Sequence, residues 1–154
     1  MPREYRRKPR RPGPKLLGLD LGERRIGVAV SDDTGVIASP DRIIDLRRSS
    51  LADVAGLALQ HGVDGIVVGL PKSMTGEEGY QARETRAMAA EIEALVDVPI
   101  IFWDERLSSS IADRALSGKV RSARERSKQL DAIAAAVTLQ SYLDSNPLDR
   151  TAGR

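Results

Sequence analysis

The chain has 154 residues and a net charge of +2 from 24 Lys/Arg against 22 Asp/Glu, with 41% hydrophobic and 30% charged residues and no cysteine. That length and balance fit one globular domain with a real core. Disulfides, thiolate metal sites and a cysteine nucleophile are excluded, and no apolar run approaches the roughly 20 residues needed to span a bilayer. Charge is unevenly spread. Residues 1–15 carry seven Lys/Arg, among them Arg6, Arg7, Lys8, Arg10 and Arg11, against the single acid Glu4, so the rest of the chain is acidic. A basic, proline-rich arm cannot bury enough apolar surface to order itself, and such arms grip nucleic-acid phosphates. A solubility tail is the plain alternative. No apolar core follows the first charges, as a secretory signal would require. The expected layout is an arm over 1–15, a folded domain over 16–145 and a tail over 146–154, in a cytoplasmic protein.

The first elements come from Gly18 to Asp32. Leu17, Leu19 and Leu21 alternate with Gly18, Asp20 and Gly22; Ile26, Val28 and Val30 alternate with Gly27, Ala29 and Ser31. Alternation on both sides of a short polar link, which contains Arg24 and Arg25, predicts a hairpin. Asp20 breaks strand propensity in the middle of it. Gly18 and Gly22 leave room beside the carboxylate for a ligand or another backbone. A solvated edge residue, or the phosphate hairpin of an actin-like ATPase, would look the same. The ATPase needs a duplicated domain, for which 154 residues leave no room.

Residues 35–46 predict a third strand, at an edge or broken at Pro40. A helix follows, capped by Ser49 or Ser50, striped by Leu51, Val54, Leu57 and Ala58, and stopped by Gly62. His61, the one histidine, falls at its end, where a charge partner for the helix dipole is expected rather than a catalytic group. Residues 64–70 read as a buried parallel strand. The loop after it places Lys72, Ser73 and Thr75 where ligands of parallel sheets gather. A helix over about 78–96 has Thr85, Met88, Ala89, Ile92, Leu95 and Val96 on one face. Residues 98–103 predict another buried strand running into Asp104, Glu105 and Arg106. A short helix after Ser108 or Ser109, a basic connector, and a helix over about 126–144 complete the pattern. Leu130, Ile133, Ala134 and Val137 are its expected core face, with Asp131 at the edge of that face and small alanines around it.

The order β-β-β-α-β-α-β-α-α predicts an α/β fold, a five-stranded mixed sheet flanked by helices. Asp20, Glu105 and Asp131 can then meet at one end of the sheet. Carboxylates without His or Cys select Mg²⁺ or Mn²⁺, and such a cluster suits metal-assisted phosphodiester hydrolysis. Aromatic residues are only 3% of the chain, so recognition by backbone charge and shape is expected over base stacking.

Four segments carry a resemblance: GLDLGERRIGVAVSD, IVVGLPKSMTGEEGYQA, DERLSS and LDAIAAAVTLQSYL. Over about residues 16–143 the chain resembles the YqgF/RuvX family of the RNase H-like superfamily, related to the RuvC Holliday-junction resolvases. The resemblance implies an RNase H-like fold and a metal-dependent nuclease, with Asp20, Glu105 and Asp131 as catalytic and metal-binding residues. RuvC-type resolvases have a Glu at the end of the fourth strand. Here Val68, Gly69 and Leu70 hold no acid, so Glu105 must contribute from the neighbouring strand. Lys128 stands where those resolvases carry a second helix Asp, and is assigned to a phosphate. Arg24, Arg25, Lys72, Ser73, Arg106 and the basic arm complete the expected nucleic-acid contacts. Maturation of the 5′ end of 16S rRNA precursor is the favoured function. A dimeric DNA-junction resolvase and a non-catalytic nucleic-acid-binding module are the alternatives. Monomer or homodimer is left open.

Overall fold

The structure, a computed structural model, describes residues 13–107 and 123–145. The basic arm, the tail and the expected short helix after Ser109 lie outside these. Five strands form one sheet in the order β3-β2-β1-β4-β5. They are β1 (Leu16–Leu21), β2 (Arg25–Ser31), β3 (Ala38–Asp45), β4 (Gly65–Leu70) and β5 (Ile100–Asp104). The helices are α1 (Ala52–His61), α2 (Tyr80–Glu93) and α3 (Ala123–Ser145). β1 pairs antiparallel with β2 and parallel with β4, and β4 pairs parallel with β5. The expected mixed five-stranded sheet is therefore present. The C-terminal ends of β1, β4 and β5 all point the same way.

Alternation decides which layer each strand residue meets. Leu17, Leu19, Ile26, Val28, Ile66 and Val68 pack with Val54 and Leu57 of α1 and Ile92 of α2. Leu16, Ala29 and Val67 pack on the other face with Ala135, Ala136, Leu139 and Leu143 of α3. Burying each of the large side chains contributes about 1.5–3 kcal/mol. The N-cap of α1 is Leu51, without a side-chain cap, rather than the expected serine; Ser50 just before it accepts at Oγ from Ala52 N at 3.3 Å, while Asp53 accepts from Ser50 N at 3.0 Å. Gly62, at φ 63°, ends it. Val63 N donates back to Ala58 O and Gly62 N to Leu59 O, closing the last turn.

The structure corrects several expectations. β3 is the predicted edge strand, but it is not broken at Pro40. Pro40 stays in register opposite Ala29, and the register shift between Val28 and Ala29 leaves its neighbour Asp41 without a partner on β2, a bulge beside the proline. α2 spans Tyr80–Glu93, so Leu95 falls beyond it and is exposed rather than on the core stripe. β5 is half-buried along its length because it is the other edge of the sheet. Glu105–Leu107 continues it as a single 3₁₀ turn. The largest correction concerns α3. Leu130, Ile133, Ala134 and Val137 are only half-buried, and the face against the sheet is Ala132, Ala135, Ala136, Leu139 and Leu143. Bulk suggested the first stripe. The sheet beneath presents glycines, so the helix comes down on its small side chains. Asp131 is half-buried and stands at the border of this inward face, as it was expected to stand at the border of the other.

Candidate active site

Asp20 sits near the end of β1, on the face that α3 covers. Its partner across the ladder on β2 is Gly27. On the other side Leu19 pairs with Val68, which brings Gly69 of β4 level with Asp20. A row Gly27–Asp20–Gly69 thus crosses three strands, with one side chain in the middle and none on either flank. Both gaps are filled from elsewhere in the chain. A Cβ on Gly27 would fall 1.9 Å from the carbonyl oxygen of Asp131. A Cβ on Gly69 would fall 2.7 Å from Oε1 of Glu105 and 2.9 Å from its Cγ. Further down the same face, Gly18 makes room for Leu139, whose Cβ a new methyl would meet at 2.8 Å. The structure therefore brings the three predicted acids together at one end of the sheet. It does so through two glycines, Gly27 and Gly69, that the sequence reading did not assign to the site. Their signal was a glycine inside a strand.

Electrostatics follow from that crowding. Burial, then the charge of Glu105, then a hydrogen bond with Glu105 push the Asp20 carboxyl up from 3.8 to about 8. At neutral pH Asp20 therefore keeps a proton and donates it to Glu105. Burial and the charge of Asp20 raise Asp131 as well, while Arg25 pulls it back down. Arg25 Nε lies 3.2 Å from Asp131 Oδ2. Asp104 is not part of the cluster. Arg106 grips it through Nε and through Nη2, the latter at 2.6 Å, and holds its carboxyl below the ordinary range.

The acids open into a cleft of about 390 Å³ that runs over the sheet's end, from Asp131 to the first turns of α2. The β4–α2 loop stands beside it. Arg106 Nη1 donates to the Ser73 and Met74 carbonyls at 3.4 and 3.3 Å. Its Nε, Nη1 and Nη2 are thus spent on Asp104 and the loop, and Arg106 acts here as a clamp. Ser73 Oγ pairs with Thr75 Oγ1 at 2.9 Å and accepts from Glu77 N at 3.2 Å, turning the loop at Gly76. Lys72 is half-buried in the same loop and Arg24 is exposed in the β1–β2 turn. The Lys128 side chain and Arg6, Arg7, Lys8, Arg10 and Arg11 lie outside the described residues. His61 is remote from the cleft, with Nε2 3.6 Å from Asp41.

Among the described residues no three acidic, His or Cys side chains are gathered in ligating geometry for one ion. Asp20 and Glu105 form a close pair, and Asp131 stands beside them on Arg25. The donor chemistry fits a hard divalent cation all the same. Two apposed carboxylates that must share a proton are a pair that a cation would relieve.

Comparison with known proteins is consistent with this geometry. Residues 14–145 match the family model described as "RuvX: Holliday junction resolvase". Relatives bearing the name "Putative pre-16S rRNA nuclease" include one from Ruegeria sp. (strain TM1040). It is 43% identical over 131 residues, spanning 84% of this chain and 83% of the relative. Another, from Geobacillus kaustophilus (strain HTA426), is 43% identical over 135 residues, spanning 85% of this chain and 98% of its own length. Among solved structures, Thermus thermophilus RuvC in complex with a Holliday junction substrate superposes with a TM-score of 0.53 at 13% identity, covering 86% of this chain and 96% of that one. The fowlpox virus Holliday junction resolvase does so at 0.51 and 15%, covering 85% and 99%. At those identities the shared feature is the fold, the RNase H-like arrangement expected from the sequence.

Proposed function

The chain belongs to the RuvX family, and from that premise we propose that it is a divalent-metal-dependent nuclease that cleaves the 16S rRNA precursor in the cytoplasm during 5′-end maturation. The observation that carries this reading is the Asp20–Glu105 pair, buried at the end of the sheet with Asp131 beside it and a proton held up to about pH 8. Asp20 and Glu105 would hold Mg²⁺ or Mn²⁺, with Asp131 completing the set once it exchanges Arg25 for the cation. Bound there, such an ion supplies Lewis acidity and an activated water for phosphodiester hydrolysis.

The chain's own residues do the rest. Gly27 and Gly69 fix where the flanking acids stand. Arg25, released from Asp131, is placed to meet a substrate phosphate. Arg106 holds the turn carrying Glu105 against the β4–α2 loop, which borders the substrate path. Lys72, Ser73, Arg24, Lys128 and the basic arm are the proposed backbone contacts. No nucleophilic side chain is required.

The test sets two labelled substrates side by side with Mg²⁺ or Mn²⁺: an RNA spanning the 16S leader boundary and a four-way DNA junction. Cleavage of the RNA by the wild type and not by Asp20→Asn is the expected result. Paired symmetric cuts in the junction alone would replace this reading with a dimeric resolvase. Binding of both without cleavage would leave a nucleic-acid-binding module.

A further inference from the structure

The cleft has an unusual lining for a protein that handles polyanions. Asp20, Glu23, Glu84, Glu105 and Asp131 line it, and among the described residues no Lys or Arg does. A phosphate entering it meets carboxylates, and even with cations bound at the Asp20 end, Glu23 and Glu84 remain. Contact with the base rather than the phosphate would add affinity there without that repulsion. Tyr80, the first residue of α2, lines the same cleft and is 61% exposed. The other rings among the described residues are occupied. Trp103 meets Tyr142 edge-on at 5.5 Å, and Phe102 lies under the Arg86 guanidinium at 4.7 Å. Nothing crowds the approach beside Tyr80, since a Cβ added to Gly79 would meet no atom within 4 Å.

We propose that Tyr80 is a base-stacking, specificity-determining residue, and that the cleft takes an unpaired nucleotide next to the scissile phosphate. A base can lie on a protein ring only when it has left its own stack. The substrate at the cut is then a single-stranded segment rather than a continuous duplex. Stacking is indifferent to the sign of the cleft, because the ring contacts the face of the base and not its phosphate. The backbone charges on either side are left to the basic groups outside the cleft. This inference rests on the reading of the cleft as a nuclease site and narrows its substrate.

The test uses the full chain with Ca²⁺, so that binding is read without turnover, and a short single-stranded oligouridine carrying 2-aminopurine as the probe. Wild type and Tyr80→Phe should quench the 2-aminopurine. Tyr80→Leu keeps apolar bulk at an exposed site but loses the ring. It should lose the quenching and bind about 10- to 100-fold more weakly, with binding to a matched duplex unchanged. In cleavage assays Tyr80→Leu should raise KM by a similar factor and leave kcat nearly as it was. Quenching and affinity retained in Tyr80→Leu would overturn the stacking role, whatever the enzyme cleaves. If no substrate is cut yet Tyr80→Leu alone loses quenching, the nuclease reading fails while the stacking site stands.

Discussion

Asp20→Asn should abolish cleavage in the presence of Mg²⁺, and in protein stripped of divalent cations it should raise stability at alkaline pH. The Asp20 carboxyl is lifted from 3.8 to about 8, first by burial and then by Glu105. The folded protein thus keeps a proton that the unfolded chain releases near pH 4. The stability tied to that proton is complete below pH 4 and drains away as pH rises to about 8, beyond which both states are ionised. The loss runs at up to about 1.4 kcal/mol per pH unit, an upper limit near 6 kcal/mol over the whole interval. Glu105 can swing towards the open cleft, so about 2–3 kcal/mol is the expected cost at pH 9. Asparagine carries no charge to drain, and its amide can donate to Glu105 in place of the carboxyl proton. Burial raises Asp131 in both proteins, but the charge of Asp20 raises it only in the wild type, so the difference between them reports Asp20 together with its coupling to Asp131. Melting curves in chelator at pH 3.5 and pH 9 measure it. The two proteins should melt together at about pH 3.5, below the point where the unfolded carboxyl ionises, and the variant should melt about 6–10 °C higher at pH 9. Saturating Mg²⁺ should close that gap, since an ion at 100 times its Kd adds about 2.7 kcal/mol to the wild type alone. Parallel melting-temperature curves across pH would refute the picture of a buried, proton-sharing pair.

Four further substitutions test how the site is built. Gly27→Ala puts a methyl 1.9 Å from the Asp131 carbonyl; backbone cannot step aside, so urea midpoints should show a loss of about 2–3 kcal/mol. Gly69→Ala meets only the Glu105 side chain, at 2.7 Å; it should cost under about 1 kcal/mol, yet slow cleavage about 10- to 100-fold by displacing the carboxylate. Arg106→Ala frees the β4–α2 loop. Trypsin should then cut after Lys72 several-fold faster, with a change in global stability below about 1 kcal/mol because the ion pair it removes is exposed. Arg25→Gln removes the group that pulls Asp131 down. The acid limb of the pH–activity profile should move to higher pH by up to about one unit, where an unmoved limb would separate Arg25 from the chemistry.

Much of this was legible because two periodicities are clean. Leu17, Leu19, Ile26 and Val28 alternate with small or polar neighbours, and every one of them is fully buried. Asp20 stood out because a strand interior gives a carboxylate no local reason to be there. Gly62 announced the end of α1 and took the left-handed conformation that only glycine adopts cheaply. Leu95 misled because apolar spacing continues past the last hydrogen-bonded turn of α2. The α3 stripe misled for a deeper reason. A helix facing a glycine-bearing sheet buries alanines, while Leu130, Ile133 and Val137 are left half-covered. Arg106 was read as a nucleic-acid contact, because a sequence does not show that two carbonyls of a loop more than 30 residues earlier lie within its reach.

Gly27 and Gly69 were invisible as site residues for a reason that bears on the chemistry. Each is one small residue in a strand, and its meaning appears only when β2, β1 and β4 are set side by side. The space above a strand end is fixed in size. A side chain on β4 at that position and the Glu105 carboxylate cannot both occupy it, as the 2.7 Å approach shows. An acid missing from the end of β4 is therefore not a gap in the site. Gly69 is what lets the turn after β5 deliver an acid to the same place. The delivery depends on a 3₁₀ turn that Arg106 braces from the following residue. Spacing along the chain misses such an arrangement because the glycine and the carboxylate that fills its space come from different segments. The small residue beneath the carboxylate is the trace it leaves in the sequence.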